Sequence, residues 1–205
     1  NNAMPSVVAI TNMSVQEVQS YFGGTQQQES TSCGSGIIIG KNDSELLICT
    51  NNHVVENSTE LSVGFADESV CEAVVKGTDA SNDLAVVAVK LDDISSDTMD
   101  AIKVAEIGDS DKLVVGQQVV AIGNALGYGQ SVTTGIVSAL NRTIDIDGYQ
   151  ADLIQTDATR ATAVERFWIC RAESLVSTPR RQQLTALKVW ATRSRFRMQS
   201  PSLRI

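Results

Sequence analysis

Basic residues are scarce through most of this chain. Of its 205 residues, the first 158 hold only 6 Lys and Arg against 22 Asp and Glu, a net charge of −16. Such an acidic body argues against a phosphate-binding surface, because counterion release needs Lys and Arg clustered on the face that meets nucleic acid. Long apolar runs are missing too. No stretch reaches 18 apolar residues, so no segment reads as a membrane-spanning helix. The four cysteines, Cys33, Cys49, Cys71 and Cys170, include no C-x-x-C pair, which removes the usual sign of a zinc site or redox dithiol. Mostly buried thiols are expected, and a Cys33–Cys49 bridge stays open because spacing alone does not give the geometry it needs. Methionine is absent from the first position, which is Asn1, so an upstream piece such as a signal or anchor is expected in the parent protein.

Glycine is absent from one region only. All 14 glycines precede residue 159, while residues 159–205 carry 10 Lys and Arg against 2 Asp and Glu, a net +8. Nine arginines and both tryptophans lie in that tail, whereas Arg142 is the only arginine before it. The overall charge of −8 therefore describes neither part.

What the first 158 residues do contain is a rhythm of short apolar segments. GSGIIIG (34–40), ELLICT (45–50), ELSVGF (60–65), CEAVVKG (71–77) and DLAVVAVK (83–90) are rich in Val, Ile and Leu. The turn-formers KND, NNHVVENS, ADES and TDASN separate them. QQVVAIGN (117–124), SVTTGIVSAL (131–140) and YQADLIQTD (149–157) continue the pattern. Short links without intervening helices predict an all-β fold of antiparallel barrels or sandwiches. SVQEVQSYF (14–22) is open between a helical turn or two and a strand. Gly34, Gly36, Gly123, Gly127 and Gly135 suit bulges and barrel corners, or else ordinary loops.

The only histidine, His53, lies in TNNHVV directly after an apolar strand. Imidazole is the side chain best suited to general base work near neutrality, though an isolated histidine is more often a hydrogen-bonded structural residue. Thirty residues on, Asp83 opens DLAVVAVK. A carboxylate there is either an exposed strand-end acid or a partly buried one, and the buried case needs a hydrogen-bond donor. A histidine Nδ1–H would serve, and the carboxylate would then fix the tautomer and stabilise the imidazolium.

GSGIII, TNNHVV, NDLAVVAV, IGDSDKLVVGQQVVAIGNALG, SVTTGIVSAL and LIQTDA, in this order, resemble the successive landmarks of the HtrA/Deg family of trypsin-like serine proteases. The resemblance runs over residues 5–158 or so. It implies a chymotrypsin-like double antiparallel β-barrel with the active site between the barrels, His53 as base and Asp83 as orienting acid. The first barrel would occupy residues 1–114, and residues 115–158 would begin the second, which is truncated. Ala125 in IGNALG stands where the family commonly has proline, a change that touches a turn and not the chemistry.

The third member of the triad is not written in the chain. After TDA the family reads approximately AINPGNSGGAL, in which serine attacks the peptide carbonyl and nearby backbone N–H groups hold the oxyanion. Residues 159–205 contain no G-x-S-G, and Ser174, Ser177, Ser194, Ser200 and Ser202 lack flanking glycines. Cys170, in RFWICRAE, has no glycine around it to build an oxyanion hole either.

The codon table supplies a reason. TRATAVERFWIC, residues 159–170, can be encoded so that one added base in front yields NPGNSGGALLDM. In the same shifted frame, synonymous codons for residues 172–181 allow GGILGINTAK and those for 187–197 allow VEGMGYAIPIS, both like later family landmarks. The serine codon would straddle Thr162 and Ala163. Residues 159–205 are therefore expected to be an out-of-frame translation, weakly ordered, and the chain as written is expected to be inactive. For the intact parent the resemblance implies hydrolysis of unfolded or misfolded proteins without metal or organic cofactor, a homotrimer, and a periplasmic or cell-surface location, often membrane-anchored. Two other readings stand beside it: a catalytically silent module that binds unfolded peptides, and a nucleic-acid binder acting through the basic tail. The N-x-[ST] matches at Asn12, Asn42, Asn57 and Asn141 do not decide the compartment.

Overall fold

A computed structural model describes residues 3–19, 25–124, 130–146, 149–158, 171–178 and 181–188. Seven strands build the first half: β1 (Val7–Gln19), β2 (Thr25–Lys41), β3 (Glu45–Thr50), β4 (Glu60–Gly64), β5 (Val70–Glu72), β6 (Val74–Asp79) and β7 (Leu84–Lys90). Between β3 and β4 lies the single-turn helix α1 (Asn52–Val55), and α2 (Ser96–Ala101) follows β7. The second half contributes β8 (Gln118–Gly123), β9 (Ser131–Ile146) and β10 (Tyr149–Thr156). Two strands of the tail, β11 (Arg171–Thr178) and β12 (Arg181–Lys188), complete the order.

In the first sheet the strands run β5-β4-β1-β2-β3-β7-β6, all neighbours antiparallel. Its two end strands, β5 and β6, are separated in the chain by Ala73 alone. A sheet whose opposite edges are joined by one residue has to curl on itself, and here it wraps round a core that includes Val8, Ile10, Ile38, Ile48, Val63, Val87 and Val89. Alternation does the sorting: along β1, Val8, Ile10 and Asn12 face inward at 2 % exposure or less. The stretch SVQEVQ continues β1 and is strand, not helix; Ser20 to Phe22 lie outside the described residues.

The second sheet has the order β10-β9-β8-β12-β11. β8, β9 and β10 pair antiparallel, as the all-β double-barrel reading expects. β12 joins the open edge of β8 in parallel, Leu184 to Leu187 opposite Val119 to Ile122, and among the described strands it is the only parallel neighbour. An edge strand presents unpaired N–H and C=O groups, and any extended segment in reach can take them. The rest of the tail lies outside the described residues, including Thr162, Ala163 and Cys170.

The two halves meet through small apolar side chains. Ala3, Val7, Ile37, Ala105, Val120 and Ile122 form one buried cluster. Polar bonds fix its rim: the Asn124 backbone N–H donates to Ser35 Oγ at 2.8 Å, and Gln130 Nε2 donates to the carbonyls of Met4 (2.7 Å) and Val7 (3.0 Å).

Close approach, rather than bulging, explains three of the singled-out glycines. A Cβ on Gly34 would meet the Val54 side chain at 2.6 Å, and one on Gly36 would meet Ile10 and Ile48 at 2.7 Å. A Cβ on Gly135 would collide with the backbone of Ala158. The irregularity in β2 falls instead between Ile38 and Gly40, and Gly127 lies outside the described residues. Cys33 and Cys49 are unbridged: Cys33 sits opposite Thr11 and Cys49 opposite Ile37, four residues further along β2. Spacing in sequence hid this, because strand register sets which residues meet.

Candidate active site

β3 ends at Thr50, and the chain turns at once into α1, which carries His53. No side chain of Asn51 caps this helix. The cap comes from thirty residues away. The His53 backbone N–H donates to Asp83 Oδ1 at 2.9 Å, and His53 Nδ1 lies 2.7 Å from Asp83 Oδ2. One carboxylate thus takes two bonds from this residue, one through its backbone and one through its ring.

Asp83 reaches this position through its own backbone. It has φ 49°, the left-handed region, at the end of a tight turn. That turn is held by Asp79, whose carboxylate accepts from the Asn82 N–H (3.1 Å) and from Asn82 Nδ2 (2.6 Å). Asp and Asn tolerate the left-handed region better than other non-glycine residues. The Asp83 carbonyl accepts from the Asn52 N–H (3.1 Å) and from Asn51 Nδ2 (3.0 Å), so the turn and α1 are stitched together. Of the two positions open for Asp83 in the sequence, the partly buried one is occupied: its side chain is 19 % exposed and that of His53 is 42 % exposed.

An ionised carboxylate only accepts hydrogen bonds, so Nδ1 must carry the proton in this pair. The neutral ring then keeps its basic lone pair on Nε2, and a positive charge arriving there would be stabilised by the carboxylate behind it. Such a ring is equipped to receive a proton.

Several residues that support this geometry are not evident from spacing. Asn51 is one. Asn12 is another: it is 2 % exposed on β1, and its Nδ2 donates to the Val54 carbonyl at 2.9 Å and the Glu56 carbonyl at 3.1 Å. The signal was there to be read, since an amide interrupts the inward apolar series of Val8 and Ile10. Burial also takes the N-x-[ST] match at Asn12 off the surface.

At the far end of the family-like region, Asp157 Oδ1 accepts from the Ile136 N–H at 2.6 Å and the Ala158 N–H donates to Thr156 Oγ1 at 3.1 Å. Ala158 is buried, packed where Gly135 leaves room. The chain is thus firmly anchored up to the residue where the glycine-rich nucleophile segment would be expected to start.

Among the described residues no group of His, Cys, Asp and Glu is placed to hold a metal ion. No described helix is long and apolar enough to cross a membrane.

A model of the trypsin-like peptidase domain matches residues 34–163. The serine protease Do-like HtrA of Bacillus subtilis is 37% identical over 164 residues, which span 75% of this chain and 35% of that protein. The periplasmic serine endoprotease DegP of Escherichia coli is 42% identical over 137 residues, 66% of this chain and 27% of its own length. This chain therefore spans about a third or less of the curated relatives it matches. Among solved structures, an HtrA-type protease AlgW with a decapeptide superposes with a TM-score of 0.57 at 28% identity, covering 77% of this chain and 49% of that one. A variant of the same protease, also with a decapeptide, gives 0.63 at 31% identity with the same coverage. The chain belongs to the trypsin-like peptidase domain family, and its homologues are the HtrA and DegP serine proteases.

Proposed function

We propose that the parent of this chain is an extracytoplasmic serine endopeptidase acting on unfolded or misfolded proteins, with His53 as general base and Asp83 as its orienting acid. The observation that carries this reading is the pair of hydrogen bonds between His53 and the Asp83 carboxylate, 2.9 Å through the backbone and 2.7 Å through the ring. In the intact enzyme, serine attacks the peptide carbonyl while His53 takes the hydroxyl proton. His53 then gives that proton to the leaving amine, and water repeats the sequence on the acyl-enzyme. A homotrimer belongs to the same reading, carried by the family resemblance.

The chain as written lacks the glycine-flanked serine, so it is inactive in this reading, and its tail is an out-of-frame translation of the missing half. The purified chain should neither hydrolyse casein nor take a fluorophosphonate label, assayed beside an intact HtrA relative. Hydrolysis at a rate comparable to the relative, with label on the chain, would overturn the inactive reading.

A second reading is favoured by that same missing serine: a silent module that binds unfolded peptides without cutting them. Saturable binding of an unfolded peptide that is recovered whole would support it.

A further inference from the structure

Resting on the reading of His53 and Asp83 as base and acid, we propose that Asn12 is a positioning residue, which sets the pitch of α1 and so delivers His53 Nδ1 to the Asp83 carboxylate. A helix of four residues has almost no stability of its own, and its last carbonyls have no partners further along the helix. α1 is held instead at both ends. At the front, Asp83 accepts from the N–H groups of Asn52 and His53. Behind, the two hydrogens of the Asn12 amide take the carbonyls of Val54 and Glu56. His53 lies between these clamps, one residue before Val54, whose side chain rests in the space Gly34 leaves.

The cost of Asn12 argues that the amide has a purpose. Its neighbours on the inward face of β1 are Val8 and Ile10, both at 0 % exposure. An aliphatic residue there would extend the core but take the donor away from the Val54 and Glu56 carbonyls. The amide is instead desolvated, and its Oδ1 is buried with no hydrogen-bond partner. Its orientation is dictated by the two carbonyls, which only a donor can satisfy. No other described side chain donates to these two carbonyls.

Because His53 is the only histidine, the full-length chain gives a single imidazole signal set in nuclear magnetic resonance. A hydrogen-bonded, slowly exchanging Nδ1–H is expected in the wild type. Asn12→Leu and Asn12→Asp, which cannot donate, should lose that proton signal while the amide resonances of β3 and β7 persist. Val8→Ala, which opens the same core but removes no hydrogen bond to α1, should lower Tm yet keep the signal. Should the stronger variants not fold, Asn12→Ser keeps one donor and should speed exchange of that proton about tenfold, the worth of roughly one hydrogen bond. An unchanged signal and exchange rate in a folded Asn12 variant would overturn the proposal. So would equal loss in Val8→Ala, since the effect would then be general loosening. Asp83→Ala, which leaves no acceptor for the ring, separates the two levels. Loss there with survival in the Asn12 variants overturns only the role of Asn12. Survival in Asp83→Ala overturns the His53–Asp83 pairing itself, and the assignment with it.

Discussion

Asp83 holds a backbone conformation that costs a non-glycine residue on the order of 1 kcal/mol, φ 49° at the end of the four-residue turn between β6 and β7. The return is geometric: in that conformation one carboxylate meets both the backbone and the ring of His53. Gly34 makes the complementary contribution from β2, since any Cβ would push on both methyl groups of Val54. Gly34→Ala should therefore destabilise the fold by about 1–3 kcal/mol, the usual cost of overpacking a core, and loosen α1. Denaturant unfolding checks the first effect, and faster exchange of the His53 backbone amide checks the second. A variant as stable as the wild type, with that amide equally protected, would mean that α1 does not depend on this contact.

α2 shows how the polar surface of the first half is tied down. Ser95 caps it, accepting from the Thr98 N–H at 3.1 Å. Asp67, in the turn between β4 and β5, accepts from the hydroxyls of Ser69 (2.6 Å) and Thr98 (2.7 Å). The Ser69 hydroxyl first and the Thr98 hydroxyl second hold the Asp67 carboxyl below its usual range. A carboxyl depressed in the folded state adds stability that is present above its unfolded pKa and is lost as pH falls through the folded value. Asp67→Asn should thus unfold at a lower temperature than the wild type at pH 7, with the gap closing below about pH 4, near the ordinary carboxylate range. A gap that stays constant down to the acid limit would contradict this. Nearby, burial first and the charges of Asp93 and Asp67 next push the Cys71 thiol up, consistent with an inert structural cysteine whose Sγ donates to the Asp93 carbonyl at 3.2 Å.

At this scale the strands were legible and the helices were not. Short continuous runs of Val, Ile, Leu and Ala mark β3 and β7 nearly to the residue, because interior strands of the sheet are buried on both faces and turn-formers bound them. CEAVVKG reads as one strand but is two, β5 and β6, since at Ala73 the chain leaves β4 and takes up β7. That exchange depends on barrel closure, which no local pattern encodes. α1 is invisible in NNHVVENS for a related reason: its bonds come from Asn12 and Asp83, far away in sequence. α2 is only six residues, too short for periodicity, though Ser95 three places before Thr98 is a readable cap. Of the proposed site, His53 and Asp83 could be named from the order of the motifs, while the buried amide of Asn12 showed only as an interruption of the apolar series in β1, with nothing to say which carbonyls it meets.

Across the whole molecule, the two halves contrast. The first closes through Ala73 around an apolar core. In the second sheet the edge of β8 away from β9 is covered by β12 from the tail, and Val132 and Ile136 on β9 are exposed. Exposed apolar surface beside strand edges invites aggregation. It is also what a barrel deprived of its later strands would show. The composition changes after Ala158 from acidic and glycine-bearing to arginine-rich and glycine-free. The shift of reading frame proposed above would account for the missing serine and the basic charge together. The most direct test is the nucleotide sequence of codons 157–163. Our account predicts triplets that, moved by one base, spell the glycine-flanked serine of NPGNSGG; triplets that encode no such serine in any frame would contradict it.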